Sequence, residues 1–167
     1  MLVALPAGTI LDDVYIPMQV ARLGKRVVFD RMAMVWDDLL PSARQEFRRK
    51  VRTLVGNYQL LQLAPWLLTR SNPLRFEFVC HKLLRLLVPF ALVGIFVSTA
   101  WHHQGIYGFI LALQIVFYAL AGLTILRAKA GLLARLSNIA LAFLVLNTAA
   151  AFAFVYFVTG KKDVWVR

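Results

Sequence analysis

Charge and cysteine are scarce in this sequence. Only 16% of its 167 residues are charged, against roughly 25% in an average soluble protein. Cys80 is the one cysteine, so an intrachain disulfide and a cysteine-based metal framework are both excluded. The sequence also has no P-loop, Gly-rich dinucleotide turn, Gly-x-Ser-x-Gly elbow or His-Glu-x-x-His motif. These absences argue against the common nucleotide-binding half-domains.

Hydrophobic residues are abundant instead. They make up 60% of the chain, and the mean hydropathy is +0.69. A soluble domain of about 150 residues buries only about 68–70% of the surface that its unfolded chain exposes, which is too little to hide this excess. Lipid is the solvent that suits the remainder. We therefore predict an integral membrane protein that is mainly α-helical.

The net charge of +11 is unevenly placed along the chain. Thirteen of the 19 lysines and arginines lie in residues 1–85, and six of the eight acidic residues lie before residue 50. The first half is thus expected to face water and the second half lipid. Because the positive charge lies beside hydrophobic segments, we expect anionic membrane lipids as partners and no nucleic acid.

The N-terminal region has the pattern of a small α/β fragment. Apolar residues recur at helical spacing between Asp12 and Leu23, and Gly24 suits a helix C-cap. Short β-rich runs at Arg26–Asp30 and Met32–Trp36 predict two strands. The fragment is too small to form a doubly wound sheet alone.

A basic amphipathic helix is predicted next. Ser42 can cap it, with Gln45 in the capping-box position, and the helix is expected to run to Ala64. One face is apolar, and cations crowd the rest of its first half. Such a helix, placed just before membrane spans, usually lies among the lipid headgroups. Ser71-Asn72-Pro73 then predicts a turn.

Three hydrophobic segments follow, near residues 83–100, 106–126 and 136–158. Each approaches the roughly 20 residues that cross a bilayer as a helix, with Pro89 predicted to kink the first. The basic 1–82 segment and the Arg127–Arg135 loop are expected in the cytoplasm of a multi-pass cell-membrane protein. Alternation then places the C-terminal tail outside, although it carries Lys161, Lys162 and Arg167. Either the rule fails for this tail or one segment is re-entrant.

Two clusters could carry chemistry. Asp12 and Asp13 are adjacent carboxylates at a loop-to-helix junction, where one can act as a general base towards a sugar hydroxyl. The alternative is a carboxylate pair that only stabilises the positive end of the helix dipole. Arg49 and Arg52 share a helix face and can clamp a diphosphate, or can simply attract anionic headgroups. His81-Lys82 is interpreted as an interfacial anchor.

Three stretches carry a family resemblance when they are taken in order. They are GTILDDVYIPMQVARLGKRVVFD, EFRRKVRTLVGNYQLL and NPLRFEFVCHKLLRLLVPF, followed by the third apolar segment and Trp165. The chain resembles, over nearly its whole length, the C-terminal part of membrane-bound family 2 glycosyltransferases, the group that includes cellulose, chitin and hyaluronan synthases. The resemblance implies a C-terminal piece of a GT-A-type catalytic domain (1–41), a basic interfacial region (42–72) and a transmembrane region (73–167).

The resemblance also implies roles for residues. The acidic pair of this family is the site of the catalytic base, so Asp13 is the expected base with Asp12 beside it. The family's Gln-x-x-Arg-Trp motif matches 49–53, where Arg52 stands for the arginine that contacts the donor diphosphate. Arg49 replaces the glutamine and Thr53 the tryptophan. The resemblance therefore supplies no tryptophan on which the acceptor would stack. Processive polymer synthesis, which would rely on that stacking, is put in question.

The family's donor half precedes the acidic pair, whereas only eleven residues precede Asp12 here. We therefore expect a truncated synthase, a fragmentary reading frame or one piece of a split enzyme, inactive alone in glycosyl transfer from a nucleotide sugar to a saccharide or lipid acceptor. The complete enzyme would need Mg²⁺ or Mn²⁺, for which this chain supplies no ligands, and a missing N-terminal half. The alternative function is a small non-catalytic membrane scaffold or partner protein.

Overall fold

The computed structural model describes residues 4–28, 30–36, 43–125 and 131–160. It is mainly helical, as predicted. The six α-helices of the described residues are α1 (Asp12–Arg22), α2 (Ala43–Leu63), α3 (Arg75–Phe78), α4 (Leu84–Trp101), α5 (Ile106–Ile125) and α6 (Leu132–Thr159). The chain forms two compact units. Unit 1 comprises the described residues of Met1–Leu86 and Phe152–Arg167, and unit 2 comprises those of Leu87–Ala151.

Helix α1 begins and ends where the sequence predicts. The acidic pair occupies its first turn, where negative charge is favoured by the helix dipole. At the other end Gly24 has a φ of 70°, its N–H donates to the Ala21 carbonyl, and the Lys25 N–H donates to the Val20 carbonyl. This pair of bonds is a Schellman motif, in which glycine adopts the left-handed backbone without a steric penalty.

The two predicted strands are not formed. Residues 25–28 and 30–36 have no strand conformation, and no strand occurs elsewhere in the described ranges. Their apolar side chains are open to the surroundings, with Val28 82% and Val35 92% exposed. A β-rich run forms a strand only when a neighbouring strand pairs with it. Even an isolated pair of strands is only marginally stable in water, and an unpaired run is less stable still. The α/β remnant is therefore not seen in this part of the chain.

Helix α2 is the centre of unit 1. Val51, Leu54 and Leu60 are buried, so the predicted apolar face packs against protein. The rings of Phe47 and Phe152 meet edge to face with centroids 6.2 Å apart. Tyr58 stacks on Phe157 at 5.1 Å, and burial raises the pKa of its phenol. The final turns of α6 thus pack on α2. The residue predicted to cap α2, Ser42, lies outside the described residues.

A rigid connection leads from α2 to the first apolar helix. A short 3-10 helix (Pro65–Leu68) is followed by the predicted turn, in which the Asn72 side chain donates to the Leu67 carbonyl and accepts from the Leu74 N–H. Helix α3 then passes through a π-helical turn (Val79–Leu83) into α4. Because Asn72 and Phe78 are buried, the start of this long helix is fixed within unit 1.

Among the described residues, three helices are long and apolar enough to cross a membrane, as predicted: Arg75–Trp101, Ile106–Thr124 and Leu132–Thr159. Within unit 2 they meet through aromatic contacts, such as Phe117 with Phe143, whose centroids lie 5.4 Å apart. Pro89 lies inside α4, where it removes one backbone donor from the helix. The chain therefore has the helices of a multi-pass membrane protein.

Candidate functional site

The acidic pair lies on the surface of unit 1. Asp12 and Asp13 are both exposed in the first turn of α1, and the Asp13 N–H donates to the Asp12 carboxylate at 3.0 Å. This bond engages one carboxylate oxygen of Asp12 in fixing the start of the helix. Both carboxylates can be reached by an approaching group.

The loop before the pair is clamped onto α2. The Gln59 amide accepts from the Ile10 N–H and donates to the Gly8 carbonyl, each at 2.9 Å. Leu11 packs so closely on Gly56 that a Cβ there would lie 2.6 Å from the leucine Cγ. Only glycine accommodates this approach. The loop that precedes the acidic pair therefore contacts α2 at Gly56, four residues or about 6 Å of helix from Arg52, and at Gln59.

Glu46 organises the basic cluster on α2. Its carboxylate pairs with Arg49 at 2.9 Å and with Lys50 at 2.8 Å, one turn along the helix. Hydrogen bonds from Lys50 and then Arg49 hold the pKa of Glu46 below its ordinary value. Arg52 is exposed on the same helix and also takes part in an interaction. Both predicted diphosphate ligands thus lie on α2, and one of them already shares a carboxylate.

A pocket of about 330 Å³ opens beside this cluster. Helix α2 contributes Glu46, Arg49, Lys50, Thr53, Leu54 and Asn57 to its lining. The start of the first apolar helix contributes His81, Lys82 and Arg85. Arg49 therefore lies with the cations that begin the membrane span, whereas Arg52 is not among the lining residues.

Asn57 is the feature of this pocket that the sequence did not reveal. Its side chain is 3% exposed, and its oxygen has no hydrogen-bond partner among the described residues. A buried amide oxygen without a partner is costly, so a ligand that donates to it is a natural complement. Its place on the apolar face of α2 was a signal, since a polar residue at a core position is unusual.

Metal binding has no candidate among these side chains. No group of three His, Cys, Asp or Glu residues lies close enough together to hold a metal ion within the described ranges. The divalent metal that the family resemblance implies therefore has no ligand set in this part of the chain. No protein-family model matches this chain, and no curated protein and no solved structure matches it either.

Proposed function

We propose that this chain is the acceptor-side and membrane half of a family 2 glycosyltransferase. The observation that supports the proposal is the attachment of the acidic pair to α2. Gln59 and Gly56 fix the loop before Asp12 and Asp13 onto the helix that carries Arg49 and Arg52. General-base catalysis requires a base held in place relative to the leaving group, and this arrangement holds both clusters on one scaffold.

In this proposal each cluster has one role. The Asp13 carboxylate takes the proton of the acceptor hydroxyl as that oxygen attacks the donor sugar. Arg49 and Arg52 offset the charge on the departing diphosphate through charge-assisted hydrogen bonds. The donor half supplies the nucleotide-sugar site and the Mg²⁺ or Mn²⁺, and the apolar helices anchor the assembly in the cell membrane.

A restored donor half tests this function. The nucleotide-sugar-binding half of a family 2 synthase is fused ahead of the chain, and sugar transfer is measured in nanodiscs with a panel of nucleotide sugars. Asp13→Asn should lower transfer by about 100-fold or more, the range typical of a lost general base. Asp30→Asn is the matched control, because Asp30 is an exposed carboxylate outside the site. Undiminished transfer by Asp13→Asn would refute the role of Asp13 as the base, whereas no transfer by the wild-type fusion would favour the non-catalytic scaffold.

The membrane orientation is part of the proposal. We place the N-terminal segment and α2 in the cytoplasm, following their basic charge. The contact of Tyr58 with Phe157 brings the end of α6 beside α2, so we place that end on the same side. One of the three apolar helices then enters the membrane without completing a crossing.

Single cysteines test this orientation in a Cys80→Ser background. Arg48→Cys and Thr159→Cys should react with an impermeant thiol reagent only when it reaches the cytoplasmic face. Gln104→Cys, in the turn between α4 and α5, should react from outside. Labelling of Thr159→Cys from outside would instead support three complete crossings.

A further inference from the structure

We propose that the pocket between α2 and the start of the first apolar helix binds a phosphate group that carries a neighbouring hydroxyl or ammonium donor, as phospholipid headgroups do. This inference does not rest on the proposed glycosyltransferase function. It concerns the chain by itself, and it would stand if the acidic pair had no catalytic role.

The charge of the pocket selects for an anion. Of the residues that the structure describes, four cations face it and Glu46 is the single carboxylate in its lining. These cations are Arg49, Lys50, Lys82 and Arg85. Glu46 pairs with the two from α2, which leaves the two from the other helix as the main source of positive potential. Guanidinium and ammonium groups converging from two elements are the usual ligands of phosphate.

The buried amide adds a second requirement. The Asn57 oxygen lines the same pocket, is almost fully buried and has no partner within the described residues. A phosphate whose oxygens are all ionised or esterified offers it only further acceptors. The glycerol hydroxyls of phosphatidylglycerol and the ammonium of phosphatidylethanolamine are donors placed a few bonds from a phosphate. The pocket thus combines a phosphate site with an acceptor for a headgroup donor.

The position and size of the pocket fit a headgroup. Lys82 lies in the π-helical turn, and Arg85 lies in the first turn of α4, where the apolar helix begins. π-Helical turns are frequent at functional sites. The volume of about 330 Å³ is at the lower end of the roughly 300–1,000 Å³ of small-molecule pockets, which suits a headgroup better than a whole nucleotide sugar.

Binding of short-chain lipids to the purified full chain in detergent tests the inference. Calorimetry with dihexanoyl phosphatidylglycerol should give saturable binding, and Lys82→Gln with Arg85→Gln should weaken it by about tenfold or more. The control is Arg44→Gln with Arg48→Gln, which removes the same charge from α2 outside the pocket and should change affinity less than about twofold. Equal losses in the two double variants, or none in either, would overturn the proposal.

A second variant separates the two halves of the site. Asn57→Leu should weaken phosphatidylglycerol binding several-fold and leave phosphatidic acid, which lacks a headgroup donor, nearly unchanged. Equal effects on both lipids would refute the role of Asn57. Competition by inorganic phosphate and glycerol phosphate distinguishes the sources of the ligand. Displacement by glycerol phosphate at equal concentration would identify a soluble phosphate ester, and resistance to it would identify a lipid.

Discussion

The two units bury different kinds of side chain. In unit 1 several of the most deeply buried residues are large, including Leu60, Leu67 and Phe78, although Ala64 and Ala153 are fully buried as well. In unit 2 the buried residues of the described chain are, apart from Pro89, all small. They are Thr99, Ala121, Ser137, Ala140, Ala149 and Ala150. No bulky residue of unit 2 other than Pro89 is buried among the described residues, and many are exposed, such as Phe109 at 61%.

This difference reflects two solvents. Water drives large apolar side chains inward, and the buried leucines and phenylalanine of unit 1 fit that pattern. Lipid is as apolar as leucine and gives no such drive, so membrane helices approach one another through small residues. Unit 2 has that second pattern. The same hydrophobic residue therefore stabilises unit 1 by burial and unit 2 by exposure to lipid.

The largest expected effect comes from truncating a buried ring. Phe78→Ala should lower the free energy of unfolding by about 3–5 kcal/mol, because it leaves a cavity in unit 1. Phe109→Ala removes the same ring from a lipid-facing position and should change stability by well under half as much. Thermal unfolding of both variants in the same nanodiscs measures the contrast. Equal losses would mean that unit 2 also has a core of large residues.

Enlarging a small residue tests unit 2 in the opposite sense. Ala149 is 0% exposed, so Ala149→Leu should cost about 1–3 kcal/mol by forcing the helices apart. Ala112→Leu makes the same change on an exposed face of α5 and should be nearly neutral. Denaturant titration in detergent gives both values. A neutral Ala149→Leu would contradict close packing through small residues.

Glycine substitutions compare the units more finely. Gly56→Ala places a Cβ 2.6 Å from the Leu11 Cγ and should destabilise unit 1 by about 1–2 kcal/mol despite the better helix propensity of alanine. Gly94→Ala in α4 meets nothing within 4 Å and should be neutral or gain up to about 1 kcal/mol. Limited proteolysis of the N-terminal loop would show its release in Gly56→Ala only. Equal cleavage of both variants would argue against the clamp.

The smallest effect is a dependence on pH. The pairs with Lys50 and Arg49 hold the pKa of Glu46 below its ordinary 4.5, so their stabilisation is complete above that pH. It is lost as the pH falls through the lowered value in the folded protein. Wild type should therefore melt slightly above Glu46→Gln near neutral pH, and the gap should close in acid once the Glu46 carboxylate is protonated in the folded protein. A gap that persists in acid would assign the effect to something other than ionisation.

Local patterns predicted the helices well and the tertiary arrangements poorly. The features predicted correctly are set by interactions between residues a few positions apart. They are the start of α1 at Asp12, the cap at Gly24 and the three membrane-length helices. The strands expected at Arg26–Asp30 and Met32–Trp36 required a pairing partner that the described chain does not supply. Periodicity shows which secondary structure a segment can adopt. The tertiary contacts of the segment decide whether it adopts that structure.

The site shows the same division. The four candidate residues could be selected because charged residues are clustered along the sequence. They are Asp12, Asp13, Arg49 and Arg52. The attachment of the acidic pair to α2 depends on Gln59 and Gly56. Both contact the loop before the pair, which lies some 50 residues earlier in the sequence. The pocket likewise joins α2 to Lys82 across the turn that Asn72 closes. Such approaches over long sequence separations have no local signature.

The π-helical turn at Val79–Leu83 connects α3 to α4 and determines how the two are rotated about the helix axis. A π turn holds about one residue more than an α-helical turn, so it has the geometry of a one-residue insertion. Removing Cys80 would let the helix run as a regular α-helix and would rotate everything before the deletion by about 100° relative to α4. A single residue thus sets the rotation between α3 and the first turn of α4, which carries Arg85.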